Sequence, residues 1–445
     1  LALFALGARE LSIPDFGVFA LSAAFINIVQ SILYSGLYEY TIRSRKEDRL
    51  DHTILCLNLL IAILGACVSA AAGIIISKLS HEDRIASLAF AMAPSALLAS
   101  LAAWHEAQVL RDKKYPIYYG NWIVTETVAA LVGAALLFKG FGIYSLVFYR
   151  YLQTILALGG YAIFFPVSYL GVFQFSSVRA IFRFALPIYG SRVLATIGNY
   201  GADVIVGVTL GPAAAGLYRM GSRVVASASE AISQPLRVFA WVRAGRARAS
   251  GRRLALAILP VNRVAMLILF PCAAIMVYLT GDLFDLALGA RWASAAGIVS
   301  ILIVAKAIGA PELLLEPLYA SLGHGRALVA IRTTSTVLYL LALMVLSRFG
   351  PQWAAGASLI TALTCVIATY PKLARAASWR RVVATASDGL IAAGLVITPI
   401  VAGGFLLRGS TFSPAVQHIG LSTVAGVLVL IFLTSRRSLL RGLAG

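Results

Sequence analysis

The feature that most constrains this chain is a succession of apolar runs, each about twenty residues or longer, separated by short polar linkers. Wound as helices, runs of that length match the ~30 Å hydrocarbon core of a bilayer. Inside lipid every backbone N–H and C=O must be satisfied internally, so only helices and closed barrels span it. The alternating ten-residue segments of an outer-membrane barrel are absent, and the runs are rich in Ala, Leu, Ile, Val and Gly. An all-α, polytopic membrane protein is therefore expected. Composition agrees: 12% of residues are charged and the mean hydropathy is +0.88, against roughly 25% charged residues in a soluble domain.

The runs predict about fourteen spans, near 1–8, 16–38, 53–77, 86–106, 118–138, 142–166, 182–206, 213–236, 255–280, 293–320, 327–347, 353–371, 386–407 and 415–434. The first opens at Leu1 inside apolar residues and is expected to be the tail of a longer helix. Turn residues such as Pro14, Pro116, Gly211-Pro212, Gly350-Pro351 and Gly409 punctuate the linkers.

A net charge of +19 would suggest nucleic acid in a soluble protein. Here the basic residues cluster in alternate linkers, which is how a membrane protein records its orientation. One set holds Arg43, Arg45, Lys46, Arg49, then Arg111, Lys113, Lys114, then Arg179, Arg183. It continues with Arg237, Arg243, Arg246, Arg248, Arg252, Arg253, Arg326, Arg332, Lys372, Arg375, Arg380, Arg381, Arg436, Arg437 and Arg441. The opposite set has only Arg9, Lys78, Arg84, Lys139, Arg291, Arg348 and Arg408. Positive loops face the cytoplasm, so both chain ends are expected there and the number of spans is even. The four cysteines, Cys56, Cys67, Cys272 and Cys365, lie in apolar runs without metal-ligand spacing and read as buried hydrophobes. No metal site, no cleavable signal peptide and no nucleic-acid partner is expected.

An internal repeat links two linkers. Leu11 to Phe19 (LSIPDFGVF) matches Leu210 to Tyr218 (LGPAAAGLY): Leu, five residues, Gly, aliphatic, aromatic, at the start of a long helix. Each copy joins the first and second span of a six-helix set, and six spans return the chain to its starting side. This is the parallel type of transporter repeat. The expected organisation is an N-terminal lobe (1–170), a C-terminal lobe (171–375) and two further helices with a basic tail (376–445).

Three stretches carry a family resemblance. Ala8-Arg-Glu-Leu-Ser-Ile-Pro-Asp-Phe-Gly-Val-Phe-Ala20 resembles the first-loop signature of Wzx-type polysaccharide flippases. Asp203-Val-Ile-Val-Gly-Val-Thr-Leu-Gly-Pro-Ala-Ala-Ala-Gly-Leu-Tyr218 is similar to their mid-chain signature, and Leu322-Gly-His-Gly-Arg326 to the turn after their tenth helix. The superfamily includes MATE exporters and the lipid II flippase. The resemblance implies a two-lobed carrier working by alternating access in the bacterial cytoplasmic (inner) membrane.

Charges inside spans are costly, about 2.5–3.5 kcal/mol on the insertion scale, and usually face a wet cavity or a partner. Arg192, Thr196, Asn199 and Asp203 fall on one stripe of the seventh helix. Arg219, Arg223, Glu230 and Gln234 fall on one stripe of the eighth. Placed on a cavity, Arg192, Asn199, Arg219, Arg223 and Gln234 would bind the pyrophosphate of a polyprenyl-linked glycan, since guanidinium groups suit phosphate oxygens. The alternative is that Asp203 and Glu230 neutralise arginines within the lobe, or that the arginines snorkel. Arg150 and Arg263, about two turns from a helix end, are expected to snorkel. Glu126, beside Thr125 and Thr127, is the leading acid for ion coupling in the N-terminal lobe, with Asp203 and Glu230 as charge partners or coupling groups. Glu39, Glu106, Glu312, Glu316 and Asp388 are the other acids in spans or at their edges. Lys306 is not on the face of Glu312. Pro187 with Gly190 is the candidate hinge.

Enzyme signals are missing: the five histidines are scattered, His105-Glu106 lacks the second histidine of a zinc motif, and no glycine-rich phosphate loop is present. The leading expectation is a flippase carrying undecaprenyl-pyrophosphate-linked oligosaccharide for cell-surface polysaccharide or lipopolysaccharide biosynthesis. A polysaccharide polymerase and glycosyltransferases would be its partners beside the membrane lipids. It would use no cofactor, with a proton or sodium gradient left open. The alternatives are an ion-coupled MATE-like multidrug antiporter, and a membrane polysaccharide polymerase or ligase.

Overall fold

A computed structural model describes residues 2–44, 50–167, 171–249, 254–406 and 414–435. Among the described residues there is helix and no strand. The chain divides into two compact units, Leu1–Arg219 and Met220–Gly445.

The first unit holds α1 (Ala2–Glu10), α2 (Ile13–Leu33), α3 (Leu37–Arg43), α4 (Asp51–Ser80), α5 (Arg84–Met92) and α6 (Ser95–Arg111). It continues with α7 (Tyr115–Phe138), α8 (Tyr144–Phe164), α9 (Phe175–Leu210) and the first two turns of α10 (Pro212–Ala249). The second unit takes the rest of α10, then α11 (Leu254–Ala287), α12 (Ala296–Ile308), α13 (Glu312–Ser321) and α14 (Gly325–Leu346). It ends with α15 (Pro351–Gly356), α16 (Ser358–Ala377), α17 (Trp379–Leu406) and α18 (Pro414–Ser435).

Every span expected from the sequence falls on helix, in the expected order. Among the described residues, ten helices are long and apolar enough to cross a membrane by length and composition. α10 is not one of them, because arginines and other polar residues run along it. Large apolar side chains on α4 (Leu60, Ile63, Leu64, Val68, Ile75) and α7 (Trp122, Ile123, Val124, Leu131) are exposed. A water-soluble monomer rarely shows apolar patches of that size; in a bilayer they face acyl chains. Parts of the basic loop set (Arg45, Lys46, Arg49, Arg252, Arg253, Arg436, Arg437, Arg441), together with Arg408 and Gly409, lie outside the described residues.

Several expected spans are each two helices, and the breaks have local causes. α2 gives way to α3 at Gly36, whose φ of +61° favours a residue without Cβ. The freed N–H of Leu37 donates to the Tyr189 hydroxyl of α9 at 3.2 Å. α5 and α6 meet at Pro94, and α12 and α13 meet at Gly309 to Pro311, where proline cannot supply a helical N–H. These last two breaks fall in the fourth and tenth of the spans expected from the sequence.

α2 is the centre of the first unit. Phe16 to Ala24 are all buried, and Val18, Phe19, Leu21 and Ile26 pack with Ile85, Leu88 and Met92 of α5 and Leu146 of α8. Ser22 also donates across to the Ile85 carbonyl at 3.1 Å. The start of α2 meets the start of α10 through the two repeat motifs. A Cβ on Gly17 would lie 1.7 Å from the Pro212 carbonyl oxygen, and one on Gly216 would lie 2.6 Å from that of Ile13. Only glycine permits that approach at either place.

In the second unit α11 packs along α17, and Leu313, Leu314, Leu315 and Leu318 of α13 fill the core against Ile258, Met266 and Leu373. Arg263 was expected to snorkel. Instead its guanidinium is ion-paired with Asp388 of α17, and the amide of neighbouring Asn262 donates to Thr385 at 3.0 Å. Arg150 likewise turns inward, donating to Asn27 and Gln30 of α2. For both, a polar partner on the neighbouring helix offers a nearer solution than the head groups.

Candidate functional site

The stripe expected on α9 separates into two environments. Thr196 is buried and bonded to Ser31 of α2 at 3.0 Å, and the Asp203 side chain is 1% exposed. Arg192 and Asn199 are exposed. The side chain of Arg192 is 59% exposed, with its nearest acid, Glu39, at 4.0 Å. A helix face about 100° wide that packs against α2 takes Thr196 and Asp203 inward and leaves their stripe-mates on its edge.

On α10 the Arg219 guanidinium lies 3.1 Å from Asp203 and 4.5 Å from the centre of the Tyr200 ring. The arginine is 17% exposed, so much of its charge is spent on a buried carboxylate one helix away. Arg223 is half-buried, while Glu230 and Gln234 are exposed. The structure thus brings Arg219 together with Asp203, and leaves Arg192, Asn199, Glu230 and Gln234 open to their surroundings. Pro187 interrupts nothing: α9 runs through it, and Gly190 has open space where a Cβ would stand.

In the second unit Lys306 lines a small, mostly apolar cavity with Val225, Ser229, Leu269, Cys272 and Met276, between α10, α11 and α12. It forms no ion pair among the described residues. Glu312, nearby, is ion-paired with Arg332 of α14 at 2.6 Å, and Glu316 with the same arginine at 3.3 Å. Arg332 was counted from the sequence as a loop charge; its place one helix across from two acids is a tertiary fact that spacing along a single helix does not carry.

Two acids of the first unit have uncharged partners. Glu126 accepts from the Tyr149 hydroxyl at 2.7 Å and from the Gln153 amide. Glu106 accepts from the hydroxyls of Tyr38 at 2.7 Å and Tyr161 at 3.2 Å. Its neighbour His105 is held by the Phe165 carbonyl at 2.6 Å. No group of three or more metal-ligating side chains occurs among the described residues.

Residues 6–297 match the family described as polysaccharide biosynthesis protein. The chain belongs to that family. A relative within reach of sequence comparison is the succinoglycan biosynthesis transport protein ExoT of Rhizobium meliloti (strain 1021). It is 23% identical over 348 residues, 75% of this chain and 69% of that one. Among solved structures, the lipid II flippase MurJ in an inward closed conformation superposes with a TM-score of 0.77 at 11% identity, covering 99% of this chain and 97% of that one. An inward-facing multidrug resistance MATE transporter of the MOP superfamily gives 0.68 at 12% identity, covering 86% and 95%. At such identities the likeness is one of fold. The polysaccharide biosynthesis family member described here therefore has a flippase- and exporter-type helical fold in a multi-pass membrane protein, as the sequence implied.

Proposed function

We propose that the chain is a flippase that carries a polyprenyl-pyrophosphate-linked oligosaccharide from the cytoplasmic to the outer leaflet of a bacterial cytoplasmic membrane, with both chain ends cytoplasmic. Two six-helix lobes (1–170 and 171–375) followed by two helices (376–445) would alternate access, with Pro187 and Gly190 as a hinge. A polysaccharide polymerase and glycosyltransferases would act after and before it. No enzymatic step belongs to the proposal.

The observation that carries this reading is that exposed basic side chains, Arg192 in the first unit and Lys306 in the second, each sit on a helix long and apolar enough to span, in a member of a polysaccharide biosynthesis family. Cations are expensive there, and a diphosphate repays them with charge-assisted bonds about twice as strong as neutral ones. Arg223, Asn199 and Gln234 would add contacts, while Arg219 serves mainly to hold Asp203. Glu126, Glu230 and Asp203 are the remaining acids of the proposed machinery, and a proton or sodium gradient would drive it.

Native mass spectrometry of the purified protein tests this. A synthetic polyprenyl-pyrophosphate oligosaccharide should remain bound, and the same glycan without its pyrophosphate should not. Equal retention of both would overturn the assignment. A second reading, a cation antiporter, is favoured by one observation: Glu106 sits among tyrosines, a setting that suits organic cations. Retention of cationic dyes in preference to the lipid would select it.

A further inference from the structure

The acids on the span helices divide by the company they keep. Asp203, Glu312, Glu316 and Asp388 each face an arginine. Among the described residues Glu106 has no cation within ion-pairing distance and is held by two hydroxyls. A partly buried carboxylate with only neutral donors is costlier to keep charged than one beside a cation.

The surroundings of Glu106 are suited to both of its charge states. It lies on α6 and reaches Tyr38 on α3 and Tyr161 on α8, so one side chain ties three helices. Tyr34 from α2 lies beside Tyr38, their ring centres 5.8 Å apart. α4 brings Asp51, taken by Arg111 at 2.6 Å, and His52 with Cys56, paired at 3.5 Å. On α6 itself His105 is bonded to the Phe165 carbonyl. A tyrosine hydroxyl donates to a carboxylate and, turned about its C–O bond, accepts from a carboxylic acid. Glu126 lacks that freedom on one side, where an amide N–H of Gln153 is the partner.

We propose that Glu106 is a proton-binding site of the N-terminal unit, taking up and releasing one proton while one of its two tyrosine partners reverses its hydrogen bond and the other keeps donating. The proton comes from water and returns to it; the new O–H on Glu106 donates to a tyrosine oxygen, and no other bond is made or broken. Because the carboxylate draws α3 and α8 toward α6 more strongly than the neutral acid does, occupancy by the proton loosens that junction. The use of this proton in driving transport rests on the flippase reading; the site itself does not.

Infrared difference spectroscopy on the full chain in lipid nanodiscs, stepped between mildly acidic and mildly alkaline pH, reads the site directly. A protonated-carboxyl band should grow on acidification, shift in heavy water, vanish in Glu106→Gln and persist in Glu126→Gln. In Tyr38→Phe, which removes a donor to the carboxylate, its midpoint should move to higher pH by about one unit. A band untouched by Glu106→Gln, or an unmoved midpoint in Tyr38→Phe, overturns the proposal. Should Glu106→Gln fail to fold, the Tyr38→Phe midpoint decides alone. No glycolipid is added, so a failure here leaves the transport reading standing, and the reverse holds as well.

Discussion

Gly17 and Gly216 pack backbone against backbone, the nitrogen of Gly17 lying 3.0 Å from where a Gly216 Cβ would stand. The contact is reciprocal. Gly17 closes on the carbonyl of Pro212, and Gly216 closes on the carbonyl of Ile13. In the repeat read from the sequence, Gly17 corresponds to Gly216 and Ile13 to Pro212. Residue i meeting j while j meets i is the pattern of a two-fold contact, here between two helix starts of the first unit.

That geometry predicts intolerance at both glycines. Gly17→Ala and Gly216→Ala each push a methyl into carbonyl oxygen that cannot yield, and should cost about 1–3 kcal/mol or more, the range of overpacking. Gly120→Ala is the control, since nothing lies within 4 Å of its added Cβ. Thermal unfolding in detergent should separate the pair from the control by several degrees.

Arg219 and Asp203 should behave as a structural pair. Arg219→Ala leaves a carboxylate that is 1% exposed without its cation, a change that costs roughly 3–5 kcal/mol when a buried pair is broken. Adding Asp203→Asn should recover much of that loss. A folded, stable Arg219→Ala protein with weakened lipid binding would instead place Arg219 in the substrate site.

Arg192→Ala should show the opposite profile. Its side chain is open and its acid is 4.0 Å away, so stability should change by less than about 0.5 kcal/mol, as for other surface substitutions. Binding of the pyrophosphate-linked glycan should weaken about tenfold or more, the equivalent of one lost charge-assisted bond. Thermal unfolding measures the first quantity, and the retained lipid fraction at several concentrations measures the second.

At one helix end, Glu82 is held below the usual carboxylate range by its hydrogen bonds to Arg84, which also reaches Asp15 at 2.6 Å. A carboxyl lowered in the folded state adds stability above its unfolded value and loses it as pH falls through the folded one. The gap in unfolding temperature between the protein and Glu82→Gln should therefore close on acidification. The groups are largely exposed, so the gap is small and shrinks in salt.

What was legible in the sequence follows from what a bilayer dictates. Hydrocarbon thickness fixes run length, so the apolar runs marked where helices lie; the paired Leu-x5-Gly motifs were legible as a repeat, but the contact between Gly17 and Gly216 belongs to the packing of two helix starts. Partners across helices were not legible. Arg263 finds Asp388 and Arg332 finds Glu312 over 125 and 20 residues of chain, and helical spacing carries no information about such pairs. The same limit hid Glu106, whose tyrosines come from α3 and α8, whereas Glu126 stood out by its flanking threonines. Stripe arithmetic grouped Arg192 with Asp203, but packing against α2 sent one outward and the other inward.

The central claim is that the exposed cations at lipid depth serve a diphosphate-bearing glycolipid in transit. Reconstitution into sealed vesicles with a fluorescent polyprenyl-pyrophosphate oligosaccharide in one leaflet, followed by a membrane-impermeant quencher, measures that transit. The account predicts protein-dependent loss of protected fluorophore that falls at least several-fold in Arg192→Ala with Lys306→Ala. Vesicles in which the glycolipid stays protected with the folded protein present, or in which the double variant moves it equally fast, would contradict it.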